Sequence, residues 1–360
     1  MLEHGGRLRR AARQYGIDEA GWLDLSTGIN PHGWPVPAIP GDAWQRLPQD
    51  DDELNAAAQG YYGTTKLLAV AGSQAAIQAL PMLRTPARVA LVAPSYAEHM
   101  HAWQRHGHVV TGVPATEILQ LGADVKVVVI VNPNNPTGRL FSVAELLGLH
   151  AQLALRGGWL VVDEAFMDAT PEHSLAFACP RPGLIVLRSL GKFFGLAGAR
   201  VGFVLAEENV LQPLAELLGP WAIAAPSRYV ATLAMRDTAW QHAIREALPK
   251  AAKRLAELLR SAGLIAPSPP APLPLAGEGR NSGGCTLFQW VCCTDAAHLH
   301  EQLARQGILT RLYDTPSSVR FGLPRDEVQW ERLANALEVG RDLSRNDRIN
   351  PDLHLMGHLT

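Results

Sequence analysis

The sequence predicts an α/β fold: a large domain built on a doubly wound, mostly parallel sheet, followed by a smaller α+β C-terminal domain. Three observations carry that expectation. Five apolar runs, at 88–94, 126–132, 159–163, 183–188 and 201–205, are rich in Val and Ile and do not alternate with polar residues. Such runs read as strands buried on both faces, as in a parallel sheet covered by helices. Longer helical patterns separate them, and repeated strand–helix order builds a doubly wound sheet. After Pro226 the texture changes to long Ala- and Leu-rich helix, then to short strands and helices.

Upstream of these runs, 67–72 reads as a strand entering a glycine turn, with Ser73 and Gln74 opening a helix. Ser142, with Glu145 three residues on, is a capping box that starts a helix at 142–156. The stretch 229–262 reads as long helix, with Pro249 marking a start or a break. Residues 267–284 are dense in Pro, Gly and Ser and read as a flexible surface insertion. Strands at 286–291 and 318–322 and helices at 296–306 and 325–342 follow, and 344–360 reads as a loose tail. The expected division is an N-terminal arm and substrate loop (1–45), a large domain (46–225), a small domain (226–343) and the tail.

Composition narrows the class. The 32 Lys and Arg balance 34 Asp and Glu to a net charge of −2, which gives no basic footprint for nucleic acid. The apolar runs stop well short of the ~20 residues of a membrane span, and the first residues lack the apolar core of a signal peptide. Cys179, Cys285, Cys292 and Cys293 form no Cys-x-x-Cys pair and read as reduced thiols. His354 and His358 have helical spacing but no third ligand, so no metal is assigned. A cytoplasmic, enzyme-sized globular protein is what remains.

In open α/β sheets ligands bind beyond the carboxyl ends of the strands. Those ends carry Tyr96 after the first run, Asn132 to Asn135 after the second, Asp163 at the tip of the third, and Ser189 with Lys192 after the fourth. The glycine turn before Ser73 adds a helix N-terminus suited to an anion. A ring stacker, an amide, a buried carboxylate, an amine and a phosphate cradle together suit pyridoxal 5'-phosphate.

Asn135-Pro-Thr-Gly138, Asp163-Glu-Ala-Phe166 and Ser189-x-x-Lys192 with Arg200 eight residues on, taken in this order, resemble the fold-type I pyridoxal-phosphate enzymes of the class I/II aminotransferase group. The 29 residues from Asp163 to Lys192 also suit that group. His4-Gly-Gly, the segment Ser26-Thr-Gly-Ile-Asn30-Pro and the Phe193-Phe194 pair resemble the L-threonine-O-3-phosphate decarboxylases of cobalamin biosynthesis, close relatives of histidinol-phosphate aminotransferase. The resemblance spans about 2–343 apart from the Pro-rich stretch.

The resemblance implies a role for each residue. Lys192 forms the Schiff base and then moves protons, Asp163 keeps the pyridine nitrogen protonated, and Tyr96 stacks on the ring. Asn135 bonds the ring O3′, while Ser73, Gln74, Ser189 and Arg200 hold the phosphate. Arg320 and Asn30 take the substrate carboxylate, and His4 with Arg311 take the substrate phosphate. The implied activity is that of a PLP-dependent carboxy-lyase on threonine phosphate, in a homodimer with no nucleic-acid or membrane partner. The alternatives are a histidinol-phosphate aminotransferase and a non-catalytic binding or regulatory protein on the same fold. Two positions depart from the group. Phe166 stands where many relatives have a tyrosine that donates to O3′. Leu47 stands where a tyrosine reaches the partner's cofactor phosphate, so either Tyr61 or Tyr62 compensates or that phosphate has one fewer partner.

Overall fold

The computed structural model describes residues 3–265 and 282–349, with side chains described as far as 338. Most of the Pro-rich stretch, and His354 and His358, lie outside the described residues. The arm carries β1 (Leu23–Asp24). The central sheet comprises β2 (Leu67–Val70), β3 (Arg88–Val92), β4 (Val109–Val113), β5 (Val125–Val131), β6 (Trp159–Asp163), β7 (Leu184–Ser189) and β8 (Gly202–Leu205). Its order is β2-β8-β7-β6-β5-β3-β4, parallel except that β8 runs against both of its neighbours.

The non-alternating runs have the expected cause. In β5 the side chains of Val128 and Ile130 enter one buried cluster, and those of Val127 and Val129 enter another across the sheet. Each face is covered, so both parities must be apolar. β4 escaped the sequence reading because it is an edge strand, with Val109 59% exposed and no continuous buried run.

The smaller sheet is antiparallel, with β9 (Ser282–Cys285), β10 (Phe288–Cys292), β12 (Arg311–Tyr313) and β13 (Ser318–Gly322) in the order β12-β13-β10-β9. Residues 282–284, expected in a flexible insertion, are thus the start of a paired strand. β11 (Ile308–Leu309) pairs in parallel with β1, which ties the arm to the C-terminal part of the chain. The arm is further fixed where Asn30 N donates to Lys192 O at 3.0 Å and Trp34 N to Phe194 O at 2.8 Å.

Two helix boundaries differ from the sequence expectation. The 229–262 stretch breaks at Asp237, not at Pro249, giving helices Ala225–Arg236 and Thr238–Ser261. Asp237 caps the second by accepting from Trp240 N at 3.0 Å. Pro249 sits inside that helix, where the burial of Leu248, Ala252, Leu255 and Leu259 offsets a cost of about 3 kcal/mol for the lost bond. The last helix continues to Ile349, past the expected start of the tail. The Ser142–Glu145 capping box forms as expected. Among the described residues no helix is long and apolar enough to cross a membrane.

Two features aim the fold at its site. From β3 the chain moves outward to β4, then returns to β5 on the other side of β3 and continues to β6 and β7. That reversal opens a crevice beyond the carboxyl ends of β3 and β5. The loop after β6 is held by a buried ionic network. Arg188 on β7 donates to Glu164 and, at 2.7 Å, to Asp168 Oδ1, with Ser174 also bonded to Glu164. All three charged side chains are at most 2% exposed, so loss of the guanidinium strands two buried carboxylates, a cost of about 3–5 kcal/mol.

Candidate active site

The crevice is a cleft of about 1020 Å³, lined by the arm (His4, Ser26, Thr27), the end of β3 (Tyr96), Asn135, Lys192, and Arg311 and Arg320 from the small sheet. Asp163 ends β6, where its burial is nearly complete. Its Oδ2 lies 2.8 Å from His99 Nε2, and its Oδ1 accepts from Ala165 N at 3.0 Å. Two polar partners make a dry carboxylate tolerable. Sequence reading missed His99. The signal was Tyr96-x-x-His99, one helical turn at the start of Ala97–Arg105, which puts the imidazole on the same face as the aromatic ring.

Lys192 lies in the turn after β7, with its amine donating to Thr27 O at 3.1 Å and lying 5.3 Å from the centre of the Phe166 ring. Burial, with the cationic Arg320 second and Arg200 also contributing, pulls the amine down to about 8 against the opposing pull of Asp163. A lysine so desolvated is a nucleophile near neutral pH.

The glycine turn forms the cradle expected for a phosphate. Gly72 has φ +72°, and a Cβ there would meet the Arg200 guanidinium at 2.6 Å. A Cβ on Gly202 would meet Ser73 N at 2.5 Å. Only glycine at both positions lets the start of helix Ser73–Ala79, β8 and Arg200 converge. Arg200 itself holds φ 54°, a left-handed conformation unusual for a side-chain-bearing residue. Ser189 stands at the end of β7, its hydroxyl accepting from Gly191 N at 3.2 Å. Gln74 reaches sideways instead, accepting from Tyr96 OH at 3.1 Å and donating to Glu98 at 3.1 Å. Its side chain therefore anchors Tyr96 and leaves only the backbone amide for an anion.

The small sheet delivers the cationic side. Arg320, on β13 and 4% exposed, donates to Asn135 Oδ1 and, at 2.6 Å, to Ser26 O. Tyr313 OH donates to the same Asn135 oxygen at 3.2 Å, a contact the sequence did not reveal. With its oxygen occupied, Asn135 has its amide NH₂ to offer. Arg311 donates to the backbone of Glu3, and His4 Nε2 lies 2.7 Å from Glu98 Oε1, so both sit with the arm.

One expectation requires correction. Asn30 does not present its amide to a ligand. Its Nδ2 donates to Phe193 O at 2.8 Å and its Oδ1 accepts from His32 N at 2.9 Å, so it braces the Lys192 turn from behind. Tyr61 and Tyr62, the residues that could compensate for Leu47, have contacts inside this chain. Tyr61 OH accepts from Arg245 at 3.0 Å, and the buried Tyr62 ring lies under Arg188. Burial pushes both phenols well up.

The lowered amine has a direct consequence. Only a neutral amine attacks an aldehyde, so Lys192 should gain reactivity as pH rises through about 8 and not through the ordinary 10.5. Labelling of the free protein with a small aldehyde and borohydride, followed by peptide mapping, should reach its half-maximum at Lys192 near that pH. Replacing Arg320 with Gln removes a cationic neighbour and should move the midpoint upward. A midpoint unchanged from that of surface lysines contradicts the desolvated site.

The chain is 56% identical over 337 residues to a threonine-phosphate decarboxylase of Pseudomonas aeruginosa, covering 94% of this chain and 97% of that one. It is 43% identical over 345 residues to a threonine-phosphate decarboxylase of Sinorhizobium sp, covering 93% and 97%. The histidinol-phosphate aminotransferase of Sinorhizobium meliloti, solved in complex with pyridoxal-5'-phosphate, shares the fold with a TM-score of 0.79 at 22% identity, covering 95% and 96%. The family model for aminotransferase class I and II matches residues 41–337. With that match over most of its length, the chain belongs to the class I and II aminotransferase family.

Proposed function

We propose that this chain is a PLP-dependent carboxy-lyase that decarboxylates L-threonine O-3-phosphate to (R)-1-amino-2-propanol O-2-phosphate, the activity in the names of its two near-full-length relatives. One observation supports that substrate most. The cleft that holds Lys192 contains two cationic stations on neighbouring strands, Arg320 beside Asn135 and its cross-strand partner Arg311 beside the arm. A substrate with a carboxylate and a phosphate suits two such stations.

The residues fit pyridoxal phosphate. The Gly72–Ser73 turn, Ser189 and Arg200 would hold its phosphate, and Tyr96 would stack on its ring. The Asn135 amide would donate to O3′ and Asp163, backed by His99, would face the ring nitrogen. Lys192 would attach it. When bound, the cofactor supplies the electron sink for the pair left at Cα when carbon dioxide departs. The chain's own residues decide which bond breaks. Arg320 grips the carboxylate with a planar fork that also fixes its direction. Arg311 and His4 hold the far phosphate, so the Cα torsion is set from both ends. Lys192 then returns a proton to Cα. Asn30 acts one step removed, by holding the turn that carries Lys192.

We further propose that the protein works as a homodimer. Trp44 (67% exposed), Leu47 (64%) and Trp221 (55%) are large apolar side chains facing solvent in one chain. Helix Asp42–Gln45 lies against Ala225–Arg236, which brings these regions together. Sedimentation of the loaded protein should give twice the chain mass, and a fully active monomer contradicts the assembly.

The reaction is tested with carboxyl-labelled L-threonine O-3-phosphate. The wild type should release labelled carbon dioxide without an added 2-oxo acid. Formation of glutamate or another new amino acid only when a 2-oxo acid and a partner amine are supplied, without carbon dioxide, contradicts the decarboxylase reading and points to amino transfer.

A further inference from the structure

Glu98 lies outside every role so far assigned, yet it joins three parts of the site. It stands in the first turn of helix Ala97–Arg105, two residues after Tyr96, and its side chain is only 14% exposed. Its Oε1 lies 2.7 Å from Nε2 of His4 on the arm. Its Oε2 accepts from Gln74 Nε2 at 3.1 Å and from Gln78 Nε2 at 3.0 Å. These glutamines are one turn apart on the helix that begins at the phosphate cradle, and Gln74 also accepts from Tyr96 OH. A carboxylate with three donors, each from a different turn or segment, is a junction more than a surface charge.

The arm is held from the opposite end as well. Gly6 N donates to Ser26 Oγ at 2.8 Å, and Ser26 O accepts from Arg320. The segment from His4 to Gly6 is therefore strung between Glu98 and the Ser26–Arg320 pair, and all of it except Glu98 lines the cleft. We infer that Glu98 is a positioning residue: it latches the N-terminal arm in the cleft wall through His4 and, through Gln74, ties that latch to Tyr96. This rests on the function proposed above for what the arm does, but the latch itself is readable without it.

The test uses the protein loaded with pyridoxal phosphate, with Glu98→Ala, Glu98→Gln and His4→Ala. The first readout is limited trypsin cleavage after Arg7, in the absence of substrate. A latched arm resists, so Glu98→Ala and His4→Ala should each be cut faster, by up to about fivefold, the scale set by a partly exposed ion pair. Melting temperature should stay near that of the wild type, and His4→Ala guards against a folding defect at Glu98 because His4 is half-exposed. The second readout is kinetic. Glu98→Ala should raise KM for L-threonine O-3-phosphate about fivefold with kcat little changed, and His4→Ala, which also removes the proposed phosphate contact, should raise it at least as much. The double variant should be no worse than the worse single one. Glu98→Gln, which keeps an oxygen for its partners, should recover most of the loss. Wild-type cleavage rates in both alanine variants, or KM losses that multiply in the double variant, overturn the latch. A wild type that does not act on threonine phosphate overturns the function instead, while the cleavage comparison still decides the latch.

Discussion

A buried carboxylate at the end of a central strand is the constraint around which this site is built. Asp163 is nearly water-free, and its charge is tolerable only because His99 and the Ala165 amide meet its two oxygens. Those contacts require the helix after β3 and the turn after β6 to face each other across the crevice where the strand order reverses. The strand ends on each side then bring in Asn135 and the Lys192 turn. The same dryness that makes Asp163 costly lowers the Lys192 amine to about 8. One environment thus holds the carboxylate with two hydrogen bonds and makes the amine reactive by desolvation.

The second half of the site is imported from distant parts of the chain. The arm joins the C-terminal part of the chain through β1 and β11, and it also bonds the backbone of the Lys192 turn. Arg320 touches both Asn135 from the large sheet and Ser26 from the arm. The arginine is therefore a fixed fork, not a mobile surface charge, and its direction is set before any substrate arrives. Such a frame suits a reaction whose outcome depends on which bond at Cα is held in line with the electron sink.

How much of this the sequence disclosed depended on the range of each interaction. Asp163, Lys192 and Ser73 were legible because each lies at a strand end or glycine turn, where local pattern and chemistry coincide, whereas Arg200 entered only through the motif that resembles the family. The two-faced burial of β5 was equally plain from its unbroken valines. His99 was not, since its partner is 64 residues away and only the sheet order brings them together. Tyr313 and Glu98 were hidden for the same reason. Asn30 was visible as an asparagine near the site, but its amide is consumed by backbone groups that no spacing reveals. Pro249 misled because a local breaking tendency lost to the burial of a long apolar face.

If Asp163 supports the chemistry and does not merely fill the strand end, removing its charge costs turnover. That is measured as the decarboxylation rate of Asp163→Asn at saturating pyridoxal phosphate, with bound cofactor quantified by absorbance. The asparagine keeps the shape but removes the charge facing the ring. The variant should still bind cofactor through its cradle and Lys192, while kcat falls at least about a hundredfold, the cost of losing a preorganised charge in a dry site. A loaded Asp163→Asn protein with kcat within about threefold of the wild type, far less than such a loss, contradicts the account.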